Sequence, residues 1–145
     1  MSNKSIFAVI LVIAAGVVYY FTKEKIELAS KDEAIKIGII YGYTGPIESL
    51  TPDMAKAAEL AITEVNNSGN FIAKKVEGIR GDSTCVDAAA ATSVAERLIT
   101  SDKIKAIVGA ACSGATTAIL QNVAMANGIA MISPSATSPA LSDLP

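Results

Sequence analysis

Ala106-Ile107-Val108-Gly109-Ala110-Ala111-Cys112-Ser113-Gly114 decides how the chain is read. A short β-branched apolar run breaks into a turn of small residues, which leads directly into a helical run ending at Asn127-Gly128. Strand, tight turn and helix in that order are the repeating unit of a parallel sheet with crossover helices. The same rhythm continues on both sides. Upstream, Ile35-Lys36-Ile37-Gly38-Ile39-Ile40 reads as a strand leaving through Gly42-Tyr43-Thr44-Gly45-Pro46. Thr51 is the expected N-cap of the next helix and Pro52 suits its first turn, with Met54, Ala58, Ala61, Ile62 and Val65 on one face. Asn67-Ser68-Gly69 stops that helix. A second strand is expected near Lys75 to Arg80, followed by a helix from about Asp87 to Thr100 with Ala91, Val94, Ala95 and Leu98 turned inward. Downstream, a fourth strand from Ile129 to Ile132 runs into Ser133-Pro134-Ser135-Ala136-Thr137-Ser138-Pro139. The expected fold is α/β, a doubly wound parallel sheet, preceded by an N-terminal hydrophobic helix.

Composition removes most catalytic chemistry. The 145 residues contain no histidine, which rules out Ser-His-Asp or Cys-His catalysis and any imidazole metal site. Two cysteines without histidine cannot build a structural zinc centre. Fourteen acids against twelve bases leave a formal charge of -2, with no basic surplus to displace counterions from nucleic acid. No metal, cofactor or catalytic residue is expected, and nucleic acid is not an expected partner.

Mean hydropathy is high, +0.44, and the excess sits in the uncharged run from Ile6 to Phe21, flanked by Lys4, Lys23 and Lys25. As a helix the run reaches about 24 Å, against a hydrocarbon core of about 30 Å. Residues 1–22 therefore read as a signal peptide or an N-terminal membrane anchor. The anchor is favoured, because cleavage after Ala14-Ala15-Gly16 would leave an awkward Val17-Val18-Tyr19 start, and a buried helix is a third possibility. Residues 23–34 read as a linker, and 35–145 as one incomplete lobe. Export makes Cys85 and Cys112 more suited to a disulfide than to two buried thiols, the alternative. Such a bridge is worth about 3.5 kcal/mol in chain entropy.

Two hydroxyl-bearing loops are the candidate site. Gly109 to Gly114 has the glycine spacing of a phosphate loop, but Ala115-Thr116 stands where Lys-Ser/Thr is required, so that reading fails. What remains is a turn with backbone N–H groups at the positive end of a helix and the Ser113 hydroxyl beside them, a fit for a carboxylate. The alternative is that Ser113 caps its own helix. Ser133, Ser135, Thr137 and Ser138 leave the next strand at its carboxyl end, where open α/β sheets bind ligands. Neutral hydroxyls without a general base suggest binding without turnover. Asp82 is expected to satisfy loop backbone donors and Asp87 to favour the dipole of the following helix.

From Ile35 to Pro145 the chain resembles the periplasmic solute-binding proteins of ABC importers for branched-chain amino acids, the type I Leu/Ile/Val-binding fold. The likeness is carried by Ile37-Gly38-Ile39 through Thr44-Gly45-Pro46, the Ala57 to Asn66 helix, Gly81-Asp82-Ser83-Thr84-Cys85, Val108 through Ser113, and Ile132 through Pro139. The resemblance implies a Cys85–Cys112 disulfide and an N-terminal lobe that binds an amino acid. It implies that Ser113 bonds the ligand α-carboxylate, that backbone around Ser135 and Ala136 meets the α-ammonium, and that Thr137 contacts both. The partner it implies is an ABC importer permease; the hydrophobic N-terminal segment adds the membrane, and the expected location is periplasmic or at the cell surface. The family's covering aromatic after the Gly-Pro turn is missing: Leu50 stands closest, and Tyr43 could supply a ring or simply pack. A second reading of the same fold is the ligand-binding sensor domain of a membrane receptor, and a third is a small α/β enzyme.

Overall fold

A computed structural model describes residues 13, 15–23, 34–69 and 75–143. The chain divides into two units, Met1–Glu33 and Ala34–Pro145. In the first, residues 15–23 are helical, with Val18, Tyr19, Tyr20 and Phe21 exposed. The remainder of the expected Ile6–Phe21 helix, apart from Ile13, and most of the 23–34 linker lie outside the described residues. Among the described residues no helix is long and apolar enough to cross a membrane. The expected anchoring helix is thus unsupported among them.

Among the described residues the second unit holds four strands, β1 (Ile35–Tyr41), β2 (Val76–Asp82), β3 (Ala106–Gly109) and β4 (Ala130–Ile132), all parallel in the order β2-β1-β3-β4. Helix α1 (Thr51–Asn67) joins β1 to β2, α2 (Ala88–Thr100) joins β2 to β3, and α3 (Ser113–Ile119) begins the link from β3 to β4. After α3 the coil continues as a π turn over Leu120–Ala124 and a 3-10 turn over Met125–Asn127, and Gly128, at φ +64°, ends it. From β1 the chain moves outward to β2, then crosses back to β3. The reversal between β1 and β3 is the switch point at which doubly wound sheets open a crevice at their carboxyl ends.

Strand alternation sends successive residues to opposite faces. Ile39 and Tyr41 pack with Ala55 of α1, while Ile40 and Ile107 pack with Ala91, Ala95 and Leu98 of α2 and Ala115 and Ile119 of α3. The alanines let α2 approach closely, as the inward-facing pattern requires. Asp87 caps α2, accepting bonds from the Ala89 and Ala90 N–H groups at 2.8 and 3.0 Å.

Helix α1 departs from its expected pattern. Thr51 is its first residue, with Leu50 as an N-cap that makes no side-chain bond. The Thr51 side chain is fully buried and donates to the Gly42 carbonyl at 2.8 Å, because closing the β1 loop onto the helix requires a partner for that buried carbonyl. Thr51 and Ala55 are the buried line of α1; Met54, Ala58 and Ile62 are half-buried, and Ala61 and Val65 exposed. One flank of the apolar stripe borders an open groove of about 420 Å³, lined by Ile35, Ile37, Ala58, Ile62, Val76 and Val108 among other apolar residues. At the end of α1, the Asn66 carboxamide accepts from Val76 N–H at 2.8 Å and donates to Val76 C=O at 2.9 Å, replacing a missing strand neighbour.

Candidate functional site

The carboxyl ends of all four strands are knotted by polar side chains. At β2, the Asp82 carboxylate accepts from the N–H groups of Tyr43, Thr44 and Thr84 and from the Thr44 hydroxyl, at 2.9, 3.3, 2.9 and 2.6 Å. Partial burial acts to raise its pKa, but the bonds from Thr44, Thr84 and Tyr43 outweigh burial and hold it below the ordinary value. Asp82 therefore ties the β1 loop to the β2 loop, as its position predicts. The next turn carries Cys85, bonded to Cys112 across 5.4 Å between Cα atoms, so the expected bridge pins the β2 loop to the start of α3.

Tyr43 is half-buried and packs on the α1 face of the sheet. Its hydroxyl donates to the Ile39 carbonyl at 3.3 Å and its ring lies with Ile47, Met54 and Ile62 on the α1 face. Arg80 sits 5.6 Å from the ring centroid, held by Glu59 through bonds of 2.6 and 2.8 Å. Burial pushes the phenol up to about 12 despite the nearby guanidinium.

At β3 the chain turns sharply. Gly109 has φ +144°, and a Cβ there would run into the Ile40 carbonyl, so only glycine fits. Cys112 is extended and occupies the N-cap of α3 without a side-chain cap bond. Ser113 does not cap its own helix. Its Oγ instead accepts bonds from the Thr137 and Ser138 N–H groups at 3.1 and 3.2 Å, across to the β4 loop. Both bonds use lone pairs, so the hydroxyl proton remains to donate elsewhere.

The β4 loop is held from the other side. Ser133 Oγ donates to the Ala110 carbonyl at 2.5 Å and accepts from the Ala136 N–H at 2.9 Å. Ser135 Oγ donates to the Ala111 carbonyl at 2.7 Å. Thr116, buried in α3, adds a bond of 3.0 Å to Ala110 C=O. The structure thus brings together Ser113, Ser135, Ala136 and Thr137, which the sequence reading singled out. Ser113 and Ala136 are half-buried, whereas Ser135 and Thr137 are exposed. The Ser135 hydroxyl is committed to the scaffold. Sequence pattern marks Thr51 only as an N-cap and does not mark Thr116, since a threonine in an amphipathic helix gives no local sign that its hydroxyl closes a loop.

Among the described residues no group of three or more carboxylates or thiols is arranged to hold a metal ion. The apolar groove beside α1 presents no polar lining for a charged ligand and lies apart from the hydroxyl loops. What the loops offer is hydrogen-bond donors at the positive end of α3 opposite the β4 turn, an arrangement that can orient a small polar anion but holds no general base.

The profile described as periplasmic binding protein matches residues 34–143. The chain belongs to that family. The Leu/Ile/Val-binding protein of Escherichia coli (strain K12) is 30% identical over 109 residues, covering 75% of this chain and 29% of that protein. The crystal structure of the branched-chain amino acid transporter substrate binding protein LivJ from Streptococcus pneumoniae, in complex with isoleucine, is 37% identical with a TM-score of 0.69. It covers 77% of this chain and 31% of its own. An ABC transporter solute binding protein from R. palustris, in complex with benzoate, is 25% identical with a TM-score of 0.61 over 72% of this chain and 28% of its own. The chain spans under a third of the length of these relatives. All three are binding proteins by name, the two of known structure belong to transporters, and the family is that of periplasmic binding proteins.

Proposed function

We propose that this periplasmic binding protein segment is part of the solute-binding component of an ABC importer, and that it holds an amino acid through the ligand's carboxylate and ammonium groups. The observation that carries the reading is Ser113 Oγ, which accepts the Thr137 and Ser138 N–H groups and keeps its own proton for a third partner. A ligand carboxylate at the start of α3 would accept that proton, with the helix dipole favouring the negative charge. Carbonyls near Ser135 and Ala136 would accept from the ammonium, and Thr137 would reach both groups. The relatives' isoleucine and benzoate share a carboxylate and differ in everything else, which supports a carboxylate-centred site. Leu50, 62% exposed beside this end of the sheet, stands where an aromatic cover is absent, so selectivity for the ligand side chain is set loosely from this lobe. An ABC importer permease is the partner this reading implies, and the periplasm its location.

Titration calorimetry of the complete natural chain with L-leucine, L-isoleucine, L-valine and benzoate tests the reading. Ser113→Ala is expected to weaken the tightest of these by about 1 to 3 kcal/mol, roughly 5- to 150-fold in Kd. Binding of none of the four, or affinity unchanged by the substitution, would overturn it.

A further inference from the structure

We infer that Ser133 is a positioning residue for this site, one hydroxyl that sets the β3 turn and the β4 turn in register so that Ser113 and Thr137 face a ligand together. The inference rests on the reading of Ser113 and Thr137 as ligand contacts. Backbone pairing between β3 and β4 ends at Val108 and Ile132. Beyond that point side chains take over the ladder. Ser133 Oγ donates to Ala110 C=O at 2.5 Å, and two residues on, Ser135 Oγ donates to Ala111 C=O at 2.7 Å. Ser133 Oγ also accepts from Ala136 N–H at 2.9 Å and from Ser135 N–H at 3.3 Å.

A hydroxyl has one proton and two lone pairs, and at Ser133 all three are used within the protein. Ser133 therefore has nothing left for a ligand and acts through its neighbours. Its bond to Ala110, a fully buried residue, fixes the turn that delivers Ser113. Its bond to Ala136 fixes the turn that delivers Thr137. The contacts of Ser113 Oγ with the Thr137 and Ser138 amides, 3.1 and 3.2 Å, depend on both turns at once. Removing the Ser133 hydroxyl frees the Ser135 and Ala136 amides and takes one side-chain donor from Ala110 C=O, leaving that carbonyl the Thr116 hydroxyl.

The test is a double-mutant cycle on the complete natural chain, with Kd for L-leucine, L-isoleucine, L-valine and benzoate read by calorimetry and ligand-free Tm read alongside. Ser133→Ala is expected to weaken the tightest probe by about tenfold or more, and by less than about threefold when Ser113 is already alanine, because coupled residues are not additive. Ser133→Thr, which keeps the hydroxyl, is expected to stay within about threefold of the parent. Equal fold losses of Ser133→Ala in the two backgrounds mean a merely structural role and overturn the inference. A folded Ser133→Thr protein that binds about tenfold or more weakly than the parent does the same, and decides the matter if the alanine variant does not fold. A parent that responds to Ser113→Ala but not to Ser133→Ala overturns the inference alone; a parent that binds none of the probes overturns the functional reading and the inference with it.

Discussion

Asp82 gathers four donors from two loops onto one carboxylate, and its charge is what makes those bonds strong. Its pKa in the folded protein lies below the ordinary value, the hydrogen bonds prevailing over burial. A depressed folded pKa means that the carboxylate stabilises the fold above its unfolded pKa, and that this contribution is lost as pH falls through the folded value. Asp82→Asn should therefore lower Tm most near neutral pH. The gap from the parent should close on acidification below the ordinary carboxylate range, which a pH series of thermal melts would reveal. A constant gap at every pH would mean that shape, and not charge, is what Asp82 contributes. Asp87, by contrast, caps α2 locally through Ala89 and Ala90. Two nearby acids thus have different reach, one joining loops that are distant in sequence and the other ending a helix.

At the scale of elements, the Cys85–Cys112 bridge spans a sequence separation of 27 and encloses β2's exit, all of α2 and all of β3. Its constraint falls mainly on the unfolded chain, and for a loop of this length it is worth about 3.5 kcal/mol. Urea unfolding of Cys85→Ser/Cys112→Ser should lose roughly 2 to 4 kcal/mol against the oxidised parent. An unchanged midpoint would show that packing of α2 on the sheet, through Ala91, Ala95 and Leu98, already holds the segment. Helix α1 is fixed differently. Thr51 ties its start to Gly42, Asn66 ties its end to Val76, and the exposed Arg80–Glu59 pair adds little by itself.

At the scale of the molecule, helices cover the two faces of the sheet unequally. Among the described residues, helices α2 and α3 pack together over one face, whereas α1 covers the other and leaves the apolar groove open along its flank. Strand β4 forms one edge of the sheet, with Ile132 69% exposed. An unpaired edge and an uncovered apolar face are both surfaces that recruit other chains. Produced by itself, the segment 34–143 should bind a hydrophobic dye and scatter light as a self-associating species, and Ile132→Lys should reduce the scattering. A monomer that ignores the dye would show that these surfaces close without a partner.

The chain by itself determined the alternation of strands and helices, the parallel sheet, the stops at Asn67-Ser68-Gly69 and Asn127-Gly128, and the local work of Asp87. Each rests on periodicity or turn chemistry within a few neighbouring residues. The likeness of its motifs to a known family also pointed to Ser113, Ser135, Ala136 and Thr137 before any geometry. Only the tertiary structure decided that Ser113 Oγ leaves its own helix for amides 24 and 25 residues away, and that Ser133 and Ser135 are locked onto Ala110 and Ala111. Only it turned Tyr43 inward, made Thr51 a buried link to Gly42 and left one flank of α1 open. The physical reason is the same in each case: a hydroxyl's partner is set by the register of strands that meet across the sheet, and local sequence pattern does not encode that register.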